Sequence, residues 1–267
     1  MRPLSLAALT VLELPPDEQI ICAEKCHYQG VGLRLIPATP TEMHYSLIDN
    51  PARKRTVKNL LASTGMKAFD IEIFRLKPDT NLNDYLAFIE LGAELGSKNM
   101  LVAGNDPDLQ RMRDQWLHLC EIAREFGITP HLEPMPWTDI KSYVDAAKFV
   151  EEASSDLGAV LIDPIHFYRS GGEPEQIEEA QASRMGYVQF ADAPGAIPES
   201  MEEILRQARE DRLPPGAGDF RLKELLAKLP KEIPISLEIP LAPRWGCETA
   251  EQKAALVHRY TLDLLAT

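Results

Sequence analysis

Five side chains in the second half of the chain have the types and spacing for chemistry. Glu133, Asp163, Gln189 and Glu238 each fall at or near the end of a short apolar run, and His166 follows Asp163 by three residues. The run Gly158 to Ile162 stops at Asp163, Pro164 turns the chain, and Gly171-Gly172 closes the segment. That is the pattern of a buried strand ending at a working surface. Three carboxylates and an amide aimed into one space repel one another unless a cation sits among them. An oxygen-only donor set suits one divalent ion, Mg²⁺ or Mn²⁺, whereas zinc sites usually include His or Cys.

An ion held in this way can chelate a carbonyl and its neighbouring hydroxyl, lower the cost of removing the proton α to that carbonyl, and stabilise the resulting enediolate. Glu133 and Glu238 are the candidates to take the proton, since a carboxylate can both ligate and act as a base. His166 is the candidate to polarise a substrate hydroxyl or shuttle a proton. Reprotonation on the opposite face gives an epimer, reprotonation at the neighbouring carbon gives an isomer, and loss of a β-hydroxyl gives a dehydration. The residue types fix the intermediate better than the outcome.

Such residues need a scaffold that gathers strand ends. Strands are expected at Leu4 to Leu12, Val31 to Ile36, Ala68 to Leu76, Asn99 to Ala103, Ile128 to Glu133, Leu157 to Asp163, Tyr187 to Ala191 and Ile235 to Ile239. Helical patterns separate them, among them Asp108 to Phe126, Asp139 to Ala153, Pro174 to Arg184, Ser200 to Glu210 and Ala250 to Leu265. Eight strand–helix alternations in 267 residues predict an α/β fold, a single (β/α)8 TIM barrel, with residues 1–267 forming one domain. A doubly wound open sheet is the runner-up, and it lacks the glycine-rich phosphate turn after the first strand. In a barrel the functional residues sit at the C-terminal strand ends, which is where the five residues fall.

Composition agrees with a soluble globular chain: 45% of residues are hydrophobic and 26% charged. The net charge of −13 argues against nucleic acid as a partner, because phosphate binding needs a basic surface. No apolar run approaches the roughly 20 residues of a membrane helix. The N-terminal residues read as a first strand, since acids arrive at Glu13, Asp17 and Glu18 before a leader-like core is complete. Cys22, Cys26, Cys120 and Cys247 form no C-x-x-C pair and read as reduced thiols. The expectation is a cytoplasmic protein with a small-molecule substrate. A homo-oligomer is compatible with the sequence.

The set Glu133-Pro134, Asp163-x-x-His166, Gln189-x-x-Asp192 and Ser236-Leu237-Glu238 resembles the xylose isomerase-like TIM-barrel superfamily of sugar isomerases, 3-epimerases and inosose dehydratases. The resemblance runs over nearly the whole chain through strand order. Its motifs are specific as a set and weak singly. It implies that Glu133, Asp163, Gln189 and Glu238 hold one divalent ion and that His166 contacts substrate. Many members carry a histidine where this chain has Gln189, and the glutamine is similar to the branch of 3-dehydroshikimate dehydratases. Members akin to endonuclease IV use a multi-zinc cluster with several more histidines. This chain has six histidines in all, four of them away from these strand ends.

Other residues carry alternatives. Arg212 sits in a loop of the form Arg-x-x-x-Gly-x-Gly, which the resemblance associates with holding substrate oxygens, and which composition alone reads equally as a solvated loop. Glu72 and Arg75 close the third strand and either line the pocket or pair with each other. Asp192 is expected to orient a ligand or Arg212. His131 shares the parity of Glu133 one layer deeper and reads as a hydrogen-bonded core histidine. Trp137, Phe167, Tyr168 and Trp245 could wall the site from water or simply pack. A barrel that binds a ligand without chemistry is the contrasting reading, and the intact four-donor set counts against it. A metal-dependent hydrolase or nuclease is disfavoured by the acidic charge and the histidine-poor mouth.

Overall fold

The computed structural model describes residues 2–154 and 156–266. Met1, Ser155 and Thr267 lie outside the described residues, so the expected domain 1–267 is followed from residue 2 to residue 266. Eight parallel strands form one sheet: β1 (Leu4–Leu6), β2 (Gly30–Arg34), β3 (Lys67–Leu76), β4 (Asn99–Gly104), β5 (Thr129–Glu133), β6 (Ala159–Val160), β7 (Val188–Phe190) and β8 (Ile235–Leu237). Their order is β6-β5-β4-β3-β2-β1-β8-β7. The two end strands meet where the Gln189 N–H donates to the Ile162 carbonyl at 3.0 Å, so the sheet curls into a barrel. Leu4 and Leu6 turn to the helices while Ser5 turns inward, and the same alternation puts His131 and Glu133, Tyr187 and Gln189, and Ser236 and Glu238 inside.

The helices that matter for the site are α6 (Pro164–Arg169) and α8 (Met201–Glu210); between them in sequence lies α7 (Glu179–Ala182). Helices α1 (Pro16–Lys25), α2 (Pro51–Thr64), α3 (Leu86–Glu94), α4 (Leu109–Glu125), α5 (Tyr143–Ser154), α9 (Leu222–Ala227) and α10 (Ala250–Ala266) complete the outer layer. Among the described residues, no helix is long and apolar enough to cross a membrane. Among the described residues, none of the four cysteines is in a disulfide.

Two elements differ from the sequence expectation. The first strand stops at Leu6, and Ala8–Val11 form a 3-10 turn. The turn lets the Thr10 hydroxyl donate to the Leu237 carbonyl at 2.7 Å and accept the Ile239 N–H at 2.8 Å, so Thr10 continues the β1–β8 pairing on either side of Glu238. After β6 the expected helix Pro174 to Arg184 is replaced by a 3-10 turn, Pro174–Gln176, and the four-residue α7. A helix forms earlier instead, at α6, because Asp163 caps it by accepting the Ile165 N–H at 3.0 Å and Pro164 supplies a preset φ at its first position.

Inside the barrel, β2 has no room for a side chain at Gly32. A Cβ there would stand 2.8 Å from Asp70 Oδ1 and 3.3 Å from its carboxyl carbon, and Asp70 is 1% exposed. Gly32→Ala is therefore expected to cost about 1–3 kcal/mol. The measurement is a urea titration, with a lower midpoint at unchanged m-value expected. A wild-type midpoint would mean that Asp70 has space to retreat.

Candidate active site

The site is built from the C-terminal ends of the strands around a cavity of about 280 Å³ lined by Arg34, Glu72, Arg75, Glu133, Trp137, His166, Arg209, Arg212 and Glu238, among others. Glu133 is the last residue of β5, and Glu238 follows β8 directly. Asp163 caps α6, so it is fixed by the same hydrogen bond that starts the helix. Gln189 sits within β7, deeper than the others and 0% exposed.

Glu133, Asp163 and His166 each offer a donor atom within 4.8 Å of the others, a spacing that could hold a metal ion. His166 Nε2 lies 3.8 Å from Glu133 Oε1 and 3.7 Å from Asp163 Oδ2. The sequence placed His166 past the turn, on the substrate side. The helix α6 begins so early that His166 falls in its first turn and points back at the two acids. Its Nδ1 has no hydrogen-bond partner, and its ring stands edge-on to Trp137 at 4.9 Å. Burial, with the charges of Arg212 and Arg209, holds the imidazole well below its usual pKa, so His166 is neutral.

Several buried atoms lack hydrogen bonds among the described residues: Oε1 and Nε2 of Gln189, Glu133 Oε1, and both oxygens of Glu72, which has an ion-pair contact to Arg34. Burial raises the pKa of Glu133 well above the carboxylate range, and the nearby charges of Glu238 and Asp163 add to it. Glu238 is raised by burial too, against the opposing pull of Arg212. Buried, unpaired oxygens beside like charges are the condition that a bound cation relieves, and the donors fit a divalent ion.

Arg212 is where the structure departs furthest from a loop arginine at the mouth. It is 2% exposed. Nη1 donates to Asp163 Oδ2 at 2.6 Å and to the Glu238 carbonyl at 2.8 Å, Nη2 pairs with Glu238 Oε2 at 2.9 Å, and Nε donates to the Ala208 carbonyl at 2.7 Å. The guanidinium thus spans two of the four candidate ligands, and few of its donors remain for substrate. Its backbone leaves α8 just past the helix end, which sends the side chain inward.

Among the described residues, the Asp192 carboxylate makes no hydrogen bond or ion pair to Gln189 or Arg212. Its oxygens accept the backbone N–H groups of Ala193, Gly216 and Phe220, which folds the 213–220 loop under the barrel rim. A paired bridge between Asp192 and Leu213 fixes the residue after Arg212. The positioning is therefore of the loop, through the main chain. Glu72 pairs with Arg34 Nε at 3.5 Å and not with Arg75. A register shift between Ile71 and Phe74 brings Glu72, Ile73 and Arg75 all to the cavity.

Sequence reasoning missed Arg34 and Glu42. Arg34 Nη1 donates to both oxygens of Glu42 at 2.9 Å, and its Nη2 lies 4.0 Å from Glu238 Oε1. The signal was present in the strand parity of Gly30, Gly32 and Arg34. Glu42 lies in an irregular loop, where no periodicity could point to it.

His131 Nδ1 donates to the Thr129 carbonyl and its Nε2 accepts the Gly186 N–H, both at 2.9 Å. Burial lowers its pKa to about 4. An unfolded histidine titrates near pH 6.5. Below that pH the unfolded chain binds a proton that the folded chain refuses, so stability is full above about pH 6.5 and falls as the pH drops toward about 4. The loss expected from this residue is about 3 kcal/mol. It is measured as the difference in urea stability between pH 7 and pH 4, wild type against His131→Gln. Parallel pH profiles for the two proteins would rule the residue out as the source.

An eight-stranded parallel barrel with acids gathered at its C-terminal rim defines the class. The chain belongs to the xylose isomerase-like TIM-barrel family, whose sequence profile matches residues 23–259. It is similar to a 3-dehydroshikimate dehydratase of Pseudomonas aeruginosa, with 26% identity over an alignment of 203 positions that covers 69% of this chain. The chain spans 31% of the length of that relative. In structure it resembles a xylose isomerase-like TIM barrel/4-hydroxyphenylpyruvate dioxygenase fusion protein, with TM-score 0.79, 23% identity, and coverage of 98% of this chain and 42% of the other. It also resembles the IolI protein, solved with a zinc atom, with TM-score 0.76, 19% identity, and coverage of 99% and 98%.

Proposed function

We propose that the chain is a divalent-metal-dependent enzyme that removes the proton α to the carbonyl of a polyhydroxy carbonyl compound. The observation that carries this reading is the cluster of Glu133, Asp163 and His166, whose donor atoms lie within 4.8 Å of one another, together with Glu133 Oε1 and the Gln189 amide, which are buried without hydrogen bonds among the described residues. Glu133, Asp163, Gln189 and Glu238 would hold the ion, which would supply Lewis-acid polarisation of the carbonyl and offset the charge that develops as the proton leaves. Oxygen donors favour Mg²⁺ or Mn²⁺ for that place.

Glu133 is the better base of the two glutamates. Its Oε1 makes no hydrogen bond among the described residues, and burial raises its affinity for a proton, whereas Glu238 Oε2 is held by Arg212. Neutral His166 lies beside Glu133 and has an unengaged Nδ1, so it can pass a proton to or from a substrate hydroxyl. Trp137 covers His166 and limits water at the reacting carbon. Arg212 and Arg34 fix Glu238 from two sides. Among the three outcomes of the enediolate, dehydration comes first. It is supported by Gln189 and by the similarity to a 3-dehydroshikimate dehydratase.

The test is an activity screen of ketoses, inososes and 3-dehydroshikimate with Mg²⁺, Mn²⁺, Zn²⁺ or EDTA. A new absorbance from a conjugated product marks dehydration, and solvent deuterium retained at a hydroxyl-bearing carbon marks epimerisation or isomerisation. EDTA is expected to abolish turnover. Glu133→Gln and Glu238→Gln are each expected to lose about 100-fold or more in kcat/KM. If both variants bind metal and turn over like wild type, the proposal fails. A protein that binds these compounds but never turns them over would be a ligand-binding barrel.

A further inference from the structure

Four arginines line the cavity: Arg34, Arg75, Arg209 and Arg212. Two are neutralised, Arg34 by Glu42 and Glu72, and Arg212 by Asp163 and Glu238. The other two are not. Arg75 donates to the Ala38 carbonyl at 3.3 Å and to Asn105 Oδ1 at 3.0 Å. Arg209, an exposed residue of α8, lies over the Trp137 ring at 5.7 Å. Among the described residues, neither makes an ion pair with a carboxylate.

The two come from different sides of the opening, Arg75 from β3 and Arg209 from α8. They also line a second groove of about 420 Å³ outside the cavity, together with Trp137, Lys77 and Asp79, and Asp79 ion-pairs with neither arginine. They therefore mark the junction between the reacting centre and solvent. Each is oriented without being neutralised: Arg75 by two neutral oxygens, Arg209 by an aromatic face. Burial pushes the pKa of Arg75 down and the charges of Arg34 and Arg209 add to it, against the opposing pull of Glu133 and Glu42, neither of which reaches ion-pair distance. In a chain of net charge −13, carboxylates to pair with them are plentiful, yet none does so here. Paired guanidinium groups held apart by neutral supports at a pocket mouth are an arrangement for an incoming anion.

We propose that Arg75 and Arg209 form an anion subsite, and that the substrate is an anionic polyhydroxy carbonyl compound whose carboxylate or phosphate lies between them. The polyhydroxy carbonyl part rests on the function proposed above, while the anion preference stands on the two arginines. The inner cavity takes the reacting carbons, near Glu133 and His166. The anionic group stays at the mouth, where it also fixes which carbon faces Glu133.

The experiment is calorimetric titration of the full chain, with Mn²⁺ and with EDTA, using three cyclic polyols as probes. These are myo-inositol as the neutral probe, quinate as the carboxylate and myo-inositol 1-phosphate as the phosphate. At least one anionic probe is expected to bind about tenfold or more tighter than myo-inositol, and which one identifies the group. The preference is expected to fall to within about twofold in Arg75→Gln and in Arg209→Gln, while myo-inositol binding stays within about twofold of wild type. Equal binding of all three probes overturns the subsite, as does a preference that survives either substitution. Should Arg75→Gln fail to fold, Arg209→Gln on its exposed helix face decides alone. Binding is read without turnover, so the two proposals fail separately. An inactive protein that still prefers an anion keeps the subsite, and an active one with no such preference loses only the subsite.

Discussion

Five carboxylates, Asp70, Glu72, Glu133, Asp163 and Glu238, are buried inside one barrel, each at most 5% exposed. Taking charges out of water is costly, and like charges within a few ångströms add to the cost. The rest of the site follows from how this is managed. Arg34, half-buried at the end of β2, pairs with Glu42 and Glu72 and lies 4.0 Å from Glu238, while the buried Arg212 pairs with Asp163 and Glu238. Two guanidiniums do not neutralise five acids. The remainder is met by raised proton affinity, driven by burial and strong at Asp70 and Glu133, which Arg34 and Arg212 act on without pairing with them. The same imbalance leaves the centre ready for a cation.

The main chain carries much of the precision. Asp163 is set by capping α6, Glu238 by Thr10 on either side of it, and the residue after Arg212 by its bridge to Asp192. None of these supports touches the reacting space. Each trades a backbone hydrogen bond for a fixed side-chain origin, which is how a barrel holds donors from separate strands in a common geometry.

Strand alternation made the barrel and four of its acids legible in the sequence, because period-two burial and strand-end position are local properties. Asp163-Pro164 was legible too, but ambiguous. A cap followed by proline signals a helix start as much as a turn, and reading it as a turn hid α6 and moved His166 away from Glu133 and Asp163. Arg212 illustrates a different limit. Its loop context says nothing of the inward path that begins at the end of α8, and only the folded chain shows both ends of its guanidinium engaged. Glu42 and Arg209 reach the cavity from a loop and from an amphipathic helix, so no spacing relates them to the strands.

The seam of the barrel lies between β6 and β7, the two ends of the ladder, and it closes where Gln189 donates its backbone N–H to Ile162. Ile162 directly precedes Asp163. The residues that zip the cylinder are thus those whose side chains face the candidate centre, or their immediate neighbours. β6 and β7 are only two and three residues long, so this edge has little ladder of its own. Anything gripped by Asp163 and Gln189 together would act as a clasp across the shortest join in the cylinder. Occupancy and mechanical closure would then be one equilibrium, and the empty protein would breathe along that line first.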